Sequence, residues 1–156
     1  MSTIMNKAEL AAALSDDRAG DAAPGPHRRL EAEDIILLDR ATHCCLGTVD
    51  VKGRPCLSLV VGAPGFVRMA DEATLLVPEE AEQAEALRHV LEEPEVTLLL
   101  FTPGIPGELL VRGRGSITND PRLLAHLTSA DRRPDVTLFV EVRDVIRRGL
   151  AVAPAS

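Results

Sequence analysis

Apolar residues recur along this chain at two periods, and the switches between them lay out its elements. Leu109, Val111, Gly113, Gly115 and Ile117 fall on one side of a segment whose other side is Glu108, Leu110, Arg112, Arg114 and Ser116. That alternation is the two-residue period of a strand. Val136, Leu138, Val140 and Val142 repeat it against Thr137, Phe139 and Glu141, which predicts a last strand over 136–142. Cys44 to Val49 and Cys56 to Val61 read as two further strands, and Asp50-Val51-Lys52-Gly53 supplies the turn chemistry of a hairpin between them. Ala63-Pro64-Gly65 breaks the second of these, and Phe66 to Met69 is expected to continue it around a corner. Asp71-Glu72 is a turn before a strand from Thr74 to Val77, and Val96 to Phe101 is an uninterrupted apolar run expected to be buried on both faces.

Helical spacing appears between these strands. The stretch from about Leu30 to Arg40 is one helix, and Ala8 to Leu14 is a shorter Ala/Leu helix. From Glu79 to Glu93, Ala84, Leu87 and Leu91 repeat at helical spacing with Val90 beside them, until Pro94 stops the run. Asn119-Asp120-Pro121 caps a short helix over Arg122 to Leu127. Ser15 to Pro26 mixes Asp, Gly, Ala and Pro without a period and reads as a mobile linker. The organisation predicted is an N-terminal helix and linker over 1–29, one domain over 30–148 and a tail over 149–156. Six short strands with two intervening helices predict a mainly β protein, a closed or split antiparallel barrel.

Composition narrows the function classes. With 156 residues and 46% hydrophobic content the chain can bury one real core. A net charge of −7 without a basic run excludes a phosphate-backbone partner, since nucleic-acid binding needs a concentrated basic face. No apolar window approaches a membrane-spanning length and no leader pattern opens the chain, so no membrane partner and a cytoplasmic location are expected. The three cysteines lack CxxC spacing and suit a reducing compartment. There is no Trp or Tyr and there are three Phe, which leaves base stacking and aromatic cages little to use.

Four blocks in one order carry a resemblance: Pro64-Gly65-Phe66-Val67-Arg68, Thr74-Leu75-Leu76-Val77-Pro78, Leu98 to Gly104, and Leu109 to Gly115. With the hairpin before them and the strand after them, they resemble the pyridoxamine phosphate oxidase-like family of FMN-binding split barrels from about Leu30 to Val145. The resemblance implies a six-stranded split barrel and a two-fold homodimer with FMN in a cleft between protomers. Burying the flavin's dianionic phosphate takes charge-assisted hydrogen bonds. Where such proteins carry basic and amide residues after the third strand, this chain has Glu79, Glu80, Glu82 and Glu85, and two strand arginines of the family pattern fall at Val60 and Leu110. Repulsion of a phosphate by such carboxylates in a partly dry cleft amounts to a few kcal/mol, on the order of magnitude. Cations remain at Arg68, Arg88, Arg112 and Arg114, of which Arg112 and Arg114 share one strand face. The alternatives are that the glutamates form a solvated helix face and that these two arginines pair with acids on an outward face.

His43-Cys44-Cys45 raises nucleophile and metal chemistry. Adjacent strand residues point to opposite faces, and Cys56 falls opposite about Thr48, so no zinc site is expected. His43 and Cys45 share a face at the start of a strand bordering the cleft, where an imidazole can activate a thiol; the alternative is that the cysteines are small core residues. His89 lies four residues after Glu85 on a helix, His126 near a helix end, and His27 in the linker. Gly113-x-Gly115 is too short for a nucleotide loop and serves a strand bend or a close approach.

The reading favoured is a split-barrel protein that has lost FMN, favours no cofactor, and binds or transforms a small, largely apolar ligand in the dimer cleft. His43 and Cys45 are its candidate catalytic residues, and Ser58, Val60, Arg68, Arg88, Leu110, Arg112 and Arg114 its candidate ligand-binding residues, with Val60 and Leu110 lining the cavity. The alternatives are an FMN-dependent oxidoreductase, which the resemblance implies, and a non-catalytic dimeric partner of another protein.

Overall fold

The structure, a computed structural model, describes residues 4–14, 26–129 and 132–149. Of the linker expected from Ser15 to Pro26, residues 15–25 lie outside those described, as does the expected tail beyond Gly149. Seven strands form one antiparallel sheet: β1 His43–Val49, β2 Pro55–Val61, β3 Arg68–Asp71, β4 Thr74–Glu79, β5 Glu95–Phe101, β6 Glu108–Thr118 and β7 Val136–Arg148. Their order is β2-β1-β5-β6-β7-β4-β3. The first and last strands of that series do not pair with each other, so the sheet curls without closing. Four helices accompany it: α1 Lys7–Ala13, α2 Ala32–Arg40, α3 Ala84–Glu92 and α4 Pro121–Leu127.

The count of seven corrects the expected six. Arg68–Asp71 does not prolong β2 around the corner; it pairs with β4 on the far side of the sheet, Arg68 opposite Leu76. The reason is the reversal at Gly62–Gly65. The Gly65 backbone takes φ +77, and the Gly65 N–H donates to the Ala41 carbonyl at 3.2 Å, which turns the chain away from β2. A Cβ on Gly62 would sit 2.5 Å from the Phe66 ring, so the turn closes only over a glycine.

The hairpin registers as its turn predicts, with Thr48 opposite Cys56 and Cys44 opposite Val60. Strand β5 corrects a second expectation. Val96, Leu98 and Leu100 are buried, whereas Thr97, Leu99 and Phe101 are only half-buried, so one face meets the core and the other does not. Cys44, Leu46, Leu98, Leu100, Leu109, Val111, Leu138 and Val140 belong to the core on that inner face.

Long strands β6 and β7 carry the sheet from one half of the barrel to the other. Their register slips between Arg112–Asp144 and Gly113–Val142, which leaves Arg143 as the extra residue of a bulge. A Cβ on Gly113 would lie 2.3 Å from the Glu141 carbonyl oxygen, and one on Gly115 would meet Val90 of α3 at 3.0 Å. The two glycines thus serve a bend and a close helix approach. Helix α3 docks with Ala86 and Val90 while Leu91 is 72% exposed, so its buried face is rotated from the expected Ala84–Leu87–Leu91 line. Small side chains face the sheet there because Gly115 brings the backbones close.

Residue 27, expected in the linker, is tied to the barrel. His27 and Val145 exchange backbone hydrogen bonds of 3.0 and 2.7 Å. The His27 imidazole lies 2.6 Å from Asp34, which is fully buried in α2 and also accepts from Arg147 at 3.0 Å and from the Glu31 N–H at 2.7 Å.

Candidate functional site

The unpaired edge of β2 faces the junction between β4 and α3 across an open slit. On the β2 side stand Leu59, Val60 and Val61, and on the other Glu80, Glu82 and Gln83, around a cavity of about 380 Å³. The far wall is held by a reciprocal cap: the Glu80 N–H donates to Gln83 Oε1 at 2.9 Å, and the Glu80 side chain accepts from the Gln83 N–H. Pro78 within β4 and this cap end the strand at Glu79, two residues before the single 3-10 turn Ala81–Gln83 that leads into α3. The expected helix from Glu79 therefore begins later, and Glu79 is a strand residue.

That shift changes its chemistry. Leu75, Val77 and Glu79 share the inward face of β4, and Glu79 is completely buried, not solvated as a helix face would be. Neither carboxylate oxygen has a hydrogen-bond partner. Burial pushes the Glu79 carboxyl up to about 8, opposed by the pull of Arg132 and reinforced by Glu80. The buried Cys44 thiol on the neighbouring floor is raised as well, by burial first and then by the charges of Glu79 and Cys45.

Arg132 straps the slit. Its Nη2 donates to the Val61 carbonyl at 2.6 Å on one side, while its Nε lies 3.5 Å from Glu80 Oε1 on the other. The guanidinium sits 5.4 Å above the Phe66 ring. Nη1 is buried without a partner. Arg132 also lines a second cavity of about 270 Å³ against Phe66 and Arg68, and with Val61 it is common to both. Sequence reasoning missed this residue, because Arg132-Arg133-Pro134 lies in a loop without period or motif.

The sequence-selected residues are dispersed. His43 and Cys45 do share a face, but the His43 Nδ1 is 2.8 Å from the Thr42 hydroxyl and its ring lies 5.2 Å from that of Phe101. Cys44 points inward and Cys45 outward, as strand geometry requires. Val60 and Leu110 do not line one cavity. Val60 pairs with Cys44 on the buried face, while Leu110 pairs with Leu99 on the outer one, because each ladder step alternates the facing. Ser58 is half-buried opposite Leu46 on the inner side. Arg112 is bonded to Asp144 at 2.9 Å on the outer face, and Arg114 is exposed in register with Glu95 and Glu141. Arg88 is exposed on α3 and Arg68 on β3, beside the cavities near α4. His89 faces Thr48, with its Nδ1 3.2 Å from the hydroxyl, in place of an exposed contact with Glu85.

His27, Glu31 and Asp34 bring three ligand atoms within 4.8 Å of one another. Arg147 already supplies the cation there, reaching Asp34, Glu31 and Glu33 at 3.0 to 3.2 Å. This is a structural ion network.

A sequence profile of the pyridoxamine 5'-phosphate oxidase family matches residues 31–146. The chain belongs to that family. No curated protein matches the sequence. Among solved structures, HupZ of Group A Streptococcus aligns with TM-score 0.64 at 13% identity, over 78% of this chain and 96% of that one. General stress protein 26 of Bacillus anthracis aligns with TM-score 0.58 at 16% identity, over 72% and 88%. A pyridoxamine 5'-phosphate oxidase-related, FMN-binding protein of Nostoc punctiforme aligns with TM-score 0.59 at 15% identity, over 80% and 85%. At these identities the likeness concerns the fold. Among the described residues no helix is long and apolar enough to cross a membrane.

The family raises FMN, and the donor set of the slit does not suit its phosphate. Glu80 and Glu82 line the slit, and its one cation, Arg132, is already divided between Val61 and Glu80, so a dianion in this slit would meet carboxylates and one committed guanidinium.

Proposed function

We propose that this protein is a homodimeric split-barrel protein of the flavin oxidoreductase family that works without FMN and takes a small, largely apolar ligand at the slit beside β2. The observation that carries the reading is the chemistry of its walls. They combine the apolar Leu59–Val61 edge with two glutamates, Glu80 and Glu82, and one arginine already held by Val61 and Glu80. A second copy is suggested by the outer face of the β2–β1–β5 sheet. Leu57, Leu59 and Val61 are 76, 52 and 49% exposed, beside half-buried Cys45, Leu99 and Phe101. Free cysteines among the described residues accord with a cytoplasmic location.

Family membership favours a second reading, an FMN-dependent oxidoreductase that holds its cofactor with Arg68, Arg88, Arg112 or Arg114. The absorbance spectrum separates the two. Without Trp or Tyr the polypeptide is nearly silent at visible and near-ultraviolet wavelengths. After incubation with FMN and desalting, no flavin band is expected; a retained stoichiometric band would restore the oxidoreductase.

A further inference from the structure

Strand β4 points Leu75, Val77 and Glu79 into the barrel, so Leu76 faces the other way, toward α4. Leu76 is only 2% exposed yet lies outside the main core. Between α4 and the β3–β4 pair opens a cavity of about 360 Å³, large enough for a small molecule, whose sites run from about 300 to 1,000 Å³. Its walls are Arg68, Met69 and Ala70 of β3, Leu76 of β4, and Leu123 and His126, which lie three residues apart on one face of α4. None of these six lines the slit beside β2.

Charge decides what this cavity takes. The chain has 24 acidic against 17 basic residues, yet no carboxylate lines the cavity or the adjoining one of about 270 Å³, which shares Arg68 with it. The acids nearest in sequence are engaged elsewhere: Asp71 accepts from the Ala73 N–H, Glu72 pairs with Arg29, and Asp120 accepts from the Arg122 N–H to cap α4. Arg54, Arg112, Arg143, Arg147 and Arg148 all have carboxylate partners, and Arg132 has Glu80; Arg68 has none among the described residues. A cation here would meet an uncompensated guanidinium. An anion would pair with it and accept from His126, whose ring carries at least one N–H in either protonation state. The Met69, Leu76 and Leu123 walls favour an apolar body over a bare ion. We propose that this cavity binds a small organic anion, its carboxylate or phosphate held between Arg68 and His126 and its apolar body laid along Met69, Leu76 and Leu123. The site stands apart from the slit and does not depend on what the slit binds.

Four probes with one naphthalene body test it: 1-naphthylacetate, 1-naphthyl phosphate, 1-naphthylacetamide and 1-naphthylmethylamine. Naphthalene fluorescence reads their binding to the whole protein, because a chain without Trp or Tyr adds almost no emission of its own. The tighter of the two anions is expected to bind at least about fivefold more tightly than the neutral amide, and more tightly still than the cationic amine. A tighter carboxylate marks the ligand as a carboxylic acid, a tighter phosphate as a phosphate ester. Arg68→Leu should weaken that anion about fivefold and His126→Phe about threefold, each leaving the amide within about twofold. Arg54→Leu removes a cation that lines neither cavity and should change neither affinity, which separates a local site from the effect of net charge. Equal affinity for all four probes, no saturable binding of either anion, or an anion affinity unchanged in both Arg68→Leu and His126→Phe would overturn the assignment. Displacement of the bound anion by equimolar FMN would overturn it too, since the cavity would then belong to the flavin. FMN retained beside the anion would support two separate sites while ending the flavin-free reading of the slit.

Discussion

Glu79 makes the folding stability of this protein depend on pH in a direction opposite to that of most carboxylates. Its folded value of about 8 stands against an ordinary 4.5, so between those limits the folded chain holds a proton that the unfolded chain has released. Stability from this group is therefore complete below about pH 4.5 and falls as pH rises, until it is lost above about pH 8. At about 1.36 kcal/mol per pH unit, the interval corresponds to about 5 kcal/mol, a ceiling that local rearrangement and water entry reduce. The groups facing Glu79 are Arg132, Glu80 and Cys44, and all three are retained when Glu79 alone is replaced. Urea unfolding followed by circular dichroism at pH 5 and pH 9, on the wild type and on Glu79→Gln, isolates the effect. The wild type should lose about 2–5 kcal/mol more than the variant across that range. Parallel pH profiles for the two proteins would refute the reasoning and would mean that the carboxyl is solvated or paired in solution.

Three further outcomes follow from the same structure. Gly113→Ala places a Cβ 2.3 Å from the Glu141 carbonyl oxygen at the β7 bulge, so urea unfolding should show a loss of about 1–3 kcal/mol, and an unchanged midpoint would show that the bulge shifts freely. Asp34→Ala strands Arg147 and His27 around a buried position and should cost about 3–5 kcal/mol in the same assay, whereas Asp34→Asn, which retains one acceptor, should cost less. Leu59→Asp places a charge in the apolar outer face of β2 and should convert a dimer to a monomer in sedimentation velocity with its circular dichroism intact; a wild type that sediments as a monomer would remove the dimer from the proposal.

What the sequence determined by itself is local. The Asp50–Gly53 turn and its flanking alternation place the hairpin in register, with Thr48 opposite Cys56, because turn geometry and a two-residue period leave a hairpin little freedom. The alternation of β6, the cap at Asp120 and the small-residue role of Gly113 and Gly115 were legible for the same reason. Tertiary structure decided which side of each element is covered and what the loops reach. Glu79 looks like a first-turn helix acid, yet it lies on the inward face of β4; Pro78 and the Glu80–Gln83 cap delay the helix, and burial follows from where β4 sits in the barrel. Arg68–Asp71 joins β4 only because the glycine corner reverses the chain, and α3 turns its Ala86–Val90 side inward only because Gly115 lies beneath it. Arg132 leaves no local trace, since its partners Val61, Phe66 and Glu80 are 71, 66 and 52 positions away in the sequence. Periodicity reports a residue's neighbours within a turn or a strand step, whereas a site across the split of a barrel is assembled by contacts between segments that share no period.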